Sequence, residues 1–155
     1  MNISRQYGER GSAIIEFGLI APLLLPLILV AVDGGIYAFS FVAVQNGVRV
    51  AALRNSGGLD SASDQTQACS MMIEELRGLP NIGSSFSSSC ASDPLVVTAV
   101  LCDAVTPCFG STTSADGGSA TSIMASYTVP ALFRFPLVGP TVIARRSQMK
   151  IRNLP

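Results

Sequence analysis

The hydrophobic positions of this chain fall into one long block followed by several short alternating runs, and that division predicts most of the architecture. Residues 17–32 (FGLIAPLLLPLILVAV) are sixteen consecutive positions with no charge and no strongly polar side chain. As a helix rising about 1.5 Å per residue they span roughly 24 Å, somewhat less than the roughly 30 Å hydrocarbon core of a bilayer. Past Asp33 the sequence GGIYAFSFVAV is apolar again as far as Val44. Residues 17–44 therefore offer 28 positions interrupted by one acid, or about 42 Å of helix, more than a crossing needs. Pro22 and Pro26 lie inside the block, where each removes a backbone donor and crowds the carbonyl four residues back. In a bilayer the freed backbone groups find no water, so the expected outcome is a helix that continues with a local kink or a loosened turn. Ala31/Gly35 and Gly34/Ala38 have the four-residue spacing that lets spanning helices approach closely.

The rest of the chain changes period. Ser56-Gly57-Gly58 reads as a helix stop followed by a hinge. Residues 61–79 (SASDQTQACSMMIEELRGL) predict a second helix, with Ser61 or Ser63 as N-cap and Ala68, Met72, Leu76 and Leu79 on one stripe. Gly78-Leu79-Pro80 ends it, and Glu74-Glu75 read as a solvated face. Residues 94–101 (PLVVTAVL) are a β-branched run between turn residues, hence a strand. Residues 122–129 alternate, Ile123, Ala125, Tyr127 and Val129 on one face and Ser122, Ser126 and Thr128 on the other, broken only by Met124. Residues 141–152 give a third strand that ends in alternation of Ser147/Met149/Ile151 against Gln148/Lys150/Arg152. The Ser/Gly-rich stretches 83–89 and 110–122 read as loops. The predicted fold class is α+β: a long N-terminal transmembrane helix, then a small head in which a second helix packs on an antiparallel sheet of about three strands.

Flanking charges suggest an orientation. Arg5 and Arg10 precede the apolar block, with Glu9 offsetting one of them, and the next bases are Arg49 and Arg54. A short N-terminal tail with two Arg usually stays cytoplasmic, which predicts a single-pass inner-membrane protein with a periplasmic C-terminal head. The competing reading is a cleaved secretory signal peptide. The apolar stretch is longer than the usual h-region, and no small-x-small cleavage site closes it.

Composition narrows the chemistry. Ten Lys+Arg balance ten Asp+Glu in 155 residues. No global excess of base exists to displace counterions from a phosphate backbone, so nucleic acid is not an expected partner. Hydrophobic residues make up 48% and charged residues 13%, against about a quarter charged in ordinary globular domains, and the mean hydropathy is +0.46. His is absent, which removes Ser-His-Asp and Cys-His pairs, His-containing zinc sites and the commonest general base near neutral pH. Scattered Asp and Glu are all that remains for catalysis, so no enzyme and no cofactor is expected, and no phosphate-cradling or metal-binding motif is present.

Four Cys, at 69, 90, 102 and 108, all follow the apolar block, in a compartment where disulfides persist and small heads gain from them. Three pairings are possible. Cys102 with Cys108 across the short 103–107 turn, and Cys69 with Cys90 tying the second helix to the sheet, is the favoured set. A zinc site is disfavoured by the lack of CxxC spacing and of His.

One residue stands out against the apolar background. Glu16 directly borders the block, with Ala13-Ile14-Ile15 before it and Phe17 after it. A carboxylate near a bilayer centre costs about 2.5–3.5 kcal/mol, less toward the interface. The string Gly11-Ser12-Ala13-Ile14-Ile15-Glu16-Phe17, after a short basic leader, resembles the prepilin peptidase recognition site of type IV pilins and pseudopilins. The longer string EFGLIAPLLLPLILVAVDGG resembles the signature of TadE-like proteins, the pseudopilins of tight-adherence (Flp) pilus systems, at Glu16, Phe17, Pro22 and Asp33. The helix extension QNGVRVAA at 45–52 is similar to that family's, and Tyr127-Thr128-Val129-Pro130, Phe135-Pro136 and 142–149 also look family-like.

The resemblance implies a structural minor pilin or pseudopilin with a leader at residues 1–11, a transmembrane helix and its extension at 12–56, and a head at 57–155. It implies cleavage between Gly11 and Ser12 by a prepilin peptidase. Glu16, then fifth in the mature chain, would pair with the new N-terminal ammonium of a neighbouring subunit and set axial register. The implied partners are the prepilin peptidase, other pilins of the same filament and the inner membrane, with incorporation into an extracellular pilus. The alternative is an unprocessed membrane-tethered scaffold or adhesin-type module.

Overall fold

A computed structural model describes residues 6–80, 82, 90–103, 105–109, 118–131 and 139–152, with side chains described from Ala13 onward. The predicted 83–89 loop, most of the 110–122 loop, Arg5, the Arg10 side chain and Phe135-Pro136 lie outside the described residues. The described elements follow the order α1 (Gln6–Asn55), α2 (Gln65–Glu75), β1 (Ala91–Ser92), β2 (Leu95–Cys102), β3 (Ala120–Val129) and β4 (Thr141–Lys150). The fold is α+β with a long apolar N-terminal helix. The chain forms two compact units, Met1–Ile36 and Tyr37–Pro155.

The second unit begins inside α1. From residue 37 on, the helix changes from exposed all round to amphipathic: Ser40, Val44, Gly47, Val48, Ala51, Ala52 and Asn55 are buried. These positions recur at the three- and four-residue steps of one helical face. The helix stops at Asn55, as Ser56-Gly57-Gly58 predicted, and Ser56 Oγ donates to the Leu53 carbonyl at 2.8 Å.

α2 is shorter than the sequence suggests. Its N-cap is Asp64, whose carboxylate accepts from the Thr66 and Gln67 backbone N–H groups at 2.9 and 3.0 Å. Ser61 and Ser63 do not cap it. The Ser61 hydroxyl instead bonds the Asn55 and Gly58 carbonyls, both at 3.0 Å, and so belongs to the turn that follows α1. A carboxylate at an N-cap satisfies two orphan donors and faces the positive end of the helix dipole, which is why Asp64 fixes the start. The stripe was correctly placed: Ala68, Met72, Leu76 and Leu79 are all buried, although Leu76 is the C-cap and Leu79 lies beyond the helix.

The sheet has four antiparallel strands in the order β1-β2-β3-β4. Three match the expectation within two residues, and the fourth, β1, is only two residues long and pairs Ala91 with Val96 and Ser92 with Leu95. The register aligns Leu95, Tyr127 and Ile143 in one inward row, Val97, Ala125 and Arg145 in the next, and Ala99, Ile123 and Ser147 in a third. Tyr127, Leu95, Ile123 and Val97 are fully buried there with Met72 and Leu76 of α2 and Val44 and Val48 of α1. Each such side chain contributes about 1.5–3 kcal/mol of burial. Met124 interrupts the apolar alternation because it belongs to the opposite face, where it is exposed. Ser122, expected on the solvent side, is fully buried.

Long-range hydrogen bonds tie the helical layer to the sheet. Thr121 Oγ1 donates to the Ala62 carbonyl at 2.6 Å, Gln65 Nε2 to the Val97 carbonyl at 2.8 Å, and Tyr127 Oη to the Pro80 carbonyl at 2.6 Å. They place Ala62, before α2, near the Cys102 end of β2, Gln65 beside Val97, and Pro80, after α2, near the Leu95 end. Gly47 lets α1 approach α2 closely: a Cβ there would lie 2.9 Å from Met72 Sδ and 3.3 Å from its Cε, so a larger residue would push the flexible end of Met72 aside.

Candidate functional site

The functional residues expected from the sequence gather in the first unit, on a single helical segment. Residues 13–36 continue as helix through Pro22 and Pro26, and their apolar side chains are bare: Ile14 is 73% exposed, Phe17 71%, Leu19 75% and Leu23 67%. Water does not tolerate such a surface, because each of these side chains forgoes about 1.5–3 kcal/mol until it is covered. Their length, about 36 Å at helical rise, exceeds a bilayer's hydrocarbon thickness of roughly 30 Å. Among the described residues this is the one helix long and apolar enough to cross a membrane.

Glu16 is exposed on this segment, and its helical neighbours three and four residues on are Leu19 and Ile20, both exposed. Phe17 follows it on the adjacent face. The backbone of Gly11 and Ser12 continues the same helix, which sets Ser12 one turn, about 6 Å along the axis, before Glu16. Their side chains lie outside the described residues. Asp33, at the other end of the block, is half-buried. The four residues Gly11, Ser12, Glu16 and Phe17 thus lie within about two helical turns at the start of an apolar rod.

Residues 11–53 match the family of TadE-like proteins. The TadE-like segment covers the apolar block and nearly all of the helix that follows it, and stops two residues before α1 ends. The resemblance carried by Glu16, Phe17, Pro22 and Asp33 is therefore shown over the helix, while the strands lie outside the match. No curated protein and no solved structure matches the chain.

The cysteines lie in the second unit. Cys69 on α2 is bonded to Cys90, with Cα atoms 5.7 Å apart, and Cys102 at the end of β2 to Cys108, with Cα atoms 5.1 Å apart. Cys90 has φ of 39°, the left-handed region that few non-glycine residues adopt, and its carbonyl accepts from the Val97 N–H at 2.9 Å. Within the 102–108 loop the Asp103 carboxylate accepts the Thr106 and Val105 N–H groups at 2.7 and 2.8 Å. Those two bonds hold its pKa below the ordinary carboxylate value, Thr106 contributing most. Burial pushes the Tyr127 phenol up from its ordinary value.

Sequence reasoning missed one contact between distant residues. Arg145, on the inward face of β4, places its guanidinium 3.9 Å from the centroid of the Phe41 ring on α1. The signal was present only as a base on the same alternating face as Ile143 and Ser147, and the ring it covers lies more than a hundred residues earlier. Stacking on an aromatic face is worth about 0.5–2 kcal/mol, more where water is excluded. Arg145 thereby fastens the edge strand of the sheet to the C-terminal part of α1.

Proposed function

We propose that this chain is a minor pilin or pseudopilin of a tight-adherence pilus, made as a membrane-inserted precursor and cut between Gly11 and Ser12 by a prepilin peptidase. The observation that carries the reading is a carboxylate, Glu16, at the start of a bare apolar helical stretch that lies within the TadE-like match. After cleavage the Ser12 ammonium is a cation at membrane depth. Pairing between Glu16 of one subunit and the ammonium of its neighbour brings opposite charges together at membrane depth and favours one axial offset between helices. Residues 1–11 act as leader, 12–56 as membrane helix and extension, and 57–155 as a head on the periplasmic side. The work is packing rather than catalysis, and the filament's other pilins are the partners. The absence of His and of any catalytic constellation in the sequence supports a non-enzymatic role.

Intact-mass measurement of the cell-derived protein tests this directly. The mature chain is expected to start at Ser12, and a Gly11→Val variant to remain full length. Glu16→Ala is expected to be cut normally yet to be depleted from sheared surface fibres. Retention of Met1 in the functional assembly overturns the reading in favour of an uncut membrane-tethered scaffold, and normal incorporation of Glu16→Ala removes the register role.

A further inference from the structure

The change in α1 from bare to packed falls at a defined distance from Glu16. Phe17 to Ile36 is 20 residues, about 30 Å at helical rise, which matches the hydrocarbon thickness of a bilayer. The next turn and a half of the same helix, from Tyr37 to Val42, therefore falls in the headgroup layer, about 5–7 Å deep on each side. The side chains there fit that layer. Tyr37 is 40% exposed, Phe39 60% and Val42 55%, and aromatic rings concentrate at this level of a membrane, where an apolar body meets acyl chains and a polar tip meets water.

A cation from a distant strand is brought to the same level. The Phe41 ring centroid is 6.5 Å from that of Tyr37, one turn earlier on α1, and the Arg145 guanidinium lies over the Phe41 ring at 3.9 Å. The Ala144 carbonyl accepts from Arg145 Nη1 at 3.3 Å, one of the five N–H donors that the planar fork carries. Stacking takes a face of the fork, whereas oxyanions are bound along its edge. The other charges nearby divide by depth and direction. Arg146 is on the opposite face of β4 and donates to the Phe109 carbonyl. Arg49, the next base along α1, stands eight residues beyond Phe41, about 12 Å farther from the span. Asp33, half-buried, stands eight residues before Phe41, inside the 20-residue stretch.

We propose that Arg145, stacked on Phe41, binds the headgroup phosphate of a phospholipid bordering α1, with the rings of Tyr37 and Phe39 among the adjoining acyl-chain ends. Depth and charge together select this ligand. The phosphate layer supplies anions at the level where the guanidinium lies, and a weakly hydrated, delocalised cation meets a phosphate in two parallel N–H···O bonds. The site rests on the membrane-spanning part of the function proposed above, but it needs neither cleavage at Gly11 nor a filament. Either leaflet supplies the phosphate, so no orientation is presupposed.

Native mass spectrometry of the full-length chain in maltoside micelles, which hold no phosphate, reads binding as lipid is added. One phosphatidylglycerol per chain is expected to stay attached, and Arg145→Gln should weaken its apparent Kd about tenfold or more, the scale of a hydrogen bond to a charged group. Arg145→Lys keeps the charge without the fork and Phe41→Leu removes the stacking platform, so each should bind with intermediate strength; unchanged infrared sheet content shows each variant to be folded. A galactosyl diacylglycerol with the same acyl chains carries no phosphate and should not compete. Unchanged lipid binding in Arg145→Gln, or equal occupancy by the galactolipid, overturns the proposal. Displacement of the lipid by inorganic phosphate overturns the lipid as ligand, and a second chain held through Arg145 in place of lipid overturns it in favour of a protein carboxylate. The sequence has no Trp, so Leu27→Trp in vesicles of lipids brominated at the chain ends tests the span separately. Strong quenching without a lipid site sinks the Arg145 assignment alone, and absence of quenching removes the membrane reading itself.

Discussion

Replacing Tyr127 by Phe isolates one hydrogen bond and one titration at the centre of the head. The ring is fully buried, and its hydroxyl donates at 2.6 Å to the carbonyl of Pro80, the first residue after the turn that closes α2. Phe keeps the ring and its packing and deletes only that donor. A neutral bond of this kind contributes about 1 kcal/mol net, and the half-buried Pro80 carbonyl keeps partial access to water. For a unit of this size that corresponds to a fall of about 4 °C in the melting temperature. The pH dependence sharpens the test. Burial raises the Tyr127 pKa above its ordinary 10.0, so the folded state holds its proton more tightly than the unfolded chain. The corresponding stability is fully present below pH 10 and is lost as pH rises through the raised value. The phenyl ring of the variant has nothing to titrate, and every other ionisable group is common to both proteins. The advantage of the wild type over Tyr127→Phe should therefore be constant from pH 6 to 9 and shrink above pH 10. Thermal unfolding of the full chain in detergent, followed by the amide I band of the sheet, reads both quantities without interference from the long helix. A difference that persists undiminished at pH 11 would refute the assignment of the proton to Tyr127. No difference at pH 7 would show that the Pro80 bond contributes nothing.

The disulfides and the Asp103 turn give two further expectations. By loop entropy, removing the Cys69–Cys90 bridge, which closes 21 residues, should cost about 3 kcal/mol, and removing Cys102–Cys108, which closes 6, about 2 kcal/mol; the infrared melt of each double Ser variant checks the order, and equal costs would count against loop closure as the cause. Asp103 has a folded pKa lowered by the Thr106 and Val105 N–H groups, so its contribution is present above the unfolded value near 3.9 and disappears as pH falls through the lowered one. Its carboxyl carbon should titrate by NMR below the usual carboxylate midpoint, and Asp103→Asn should make the loop less sensitive to acid; a midpoint at or above 3.9 would be the contrary result.

What the sequence disclosed depended on how local the cause was. The apolar block fixed a helix regardless of Pro22 and Pro26, because hydrophobicity over so many consecutive positions outweighs two lost donors. The alternation in β3 placed Ile123, Ala125, Tyr127 and Val129 correctly, since period two is a property of neighbouring residues. The boundaries of α2 were less legible: Ser61 and Ser63 read as its cap, yet Asp64 caps it, while Asn55 and Gly58 claim the Ser61 hydroxyl. β1 escaped notice because two residues carry no period, and it exists through its pairing with β2. Burial of Ser122 and the Arg145 stack on Phe41 depend on which distant segments meet, which no window of local sequence contains. The candidate site was legible as a string, Gly11 through Phe17, because a peptidase site and a membrane helix are both written in consecutive residues.

The amphipathic end of α1 bears on where this protein can be divided. Val44, Val48, Ala51 and Ala52 form one wall of the head's core, and Phe41 holds the edge strand through Arg145. A fragment begun at Gly57, where the turn after the helix invites a cut, would strip that wall away and bare the apolar side of the sheet. One begun at Tyr37 keeps every wall and leaves behind most of the bare apolar stretch, with Phe39 and Val42 still exposed on it. The natural scissors mark for the head therefore lies in the middle of an unbroken helix, eighteen residues before its end, at a point no loop announces.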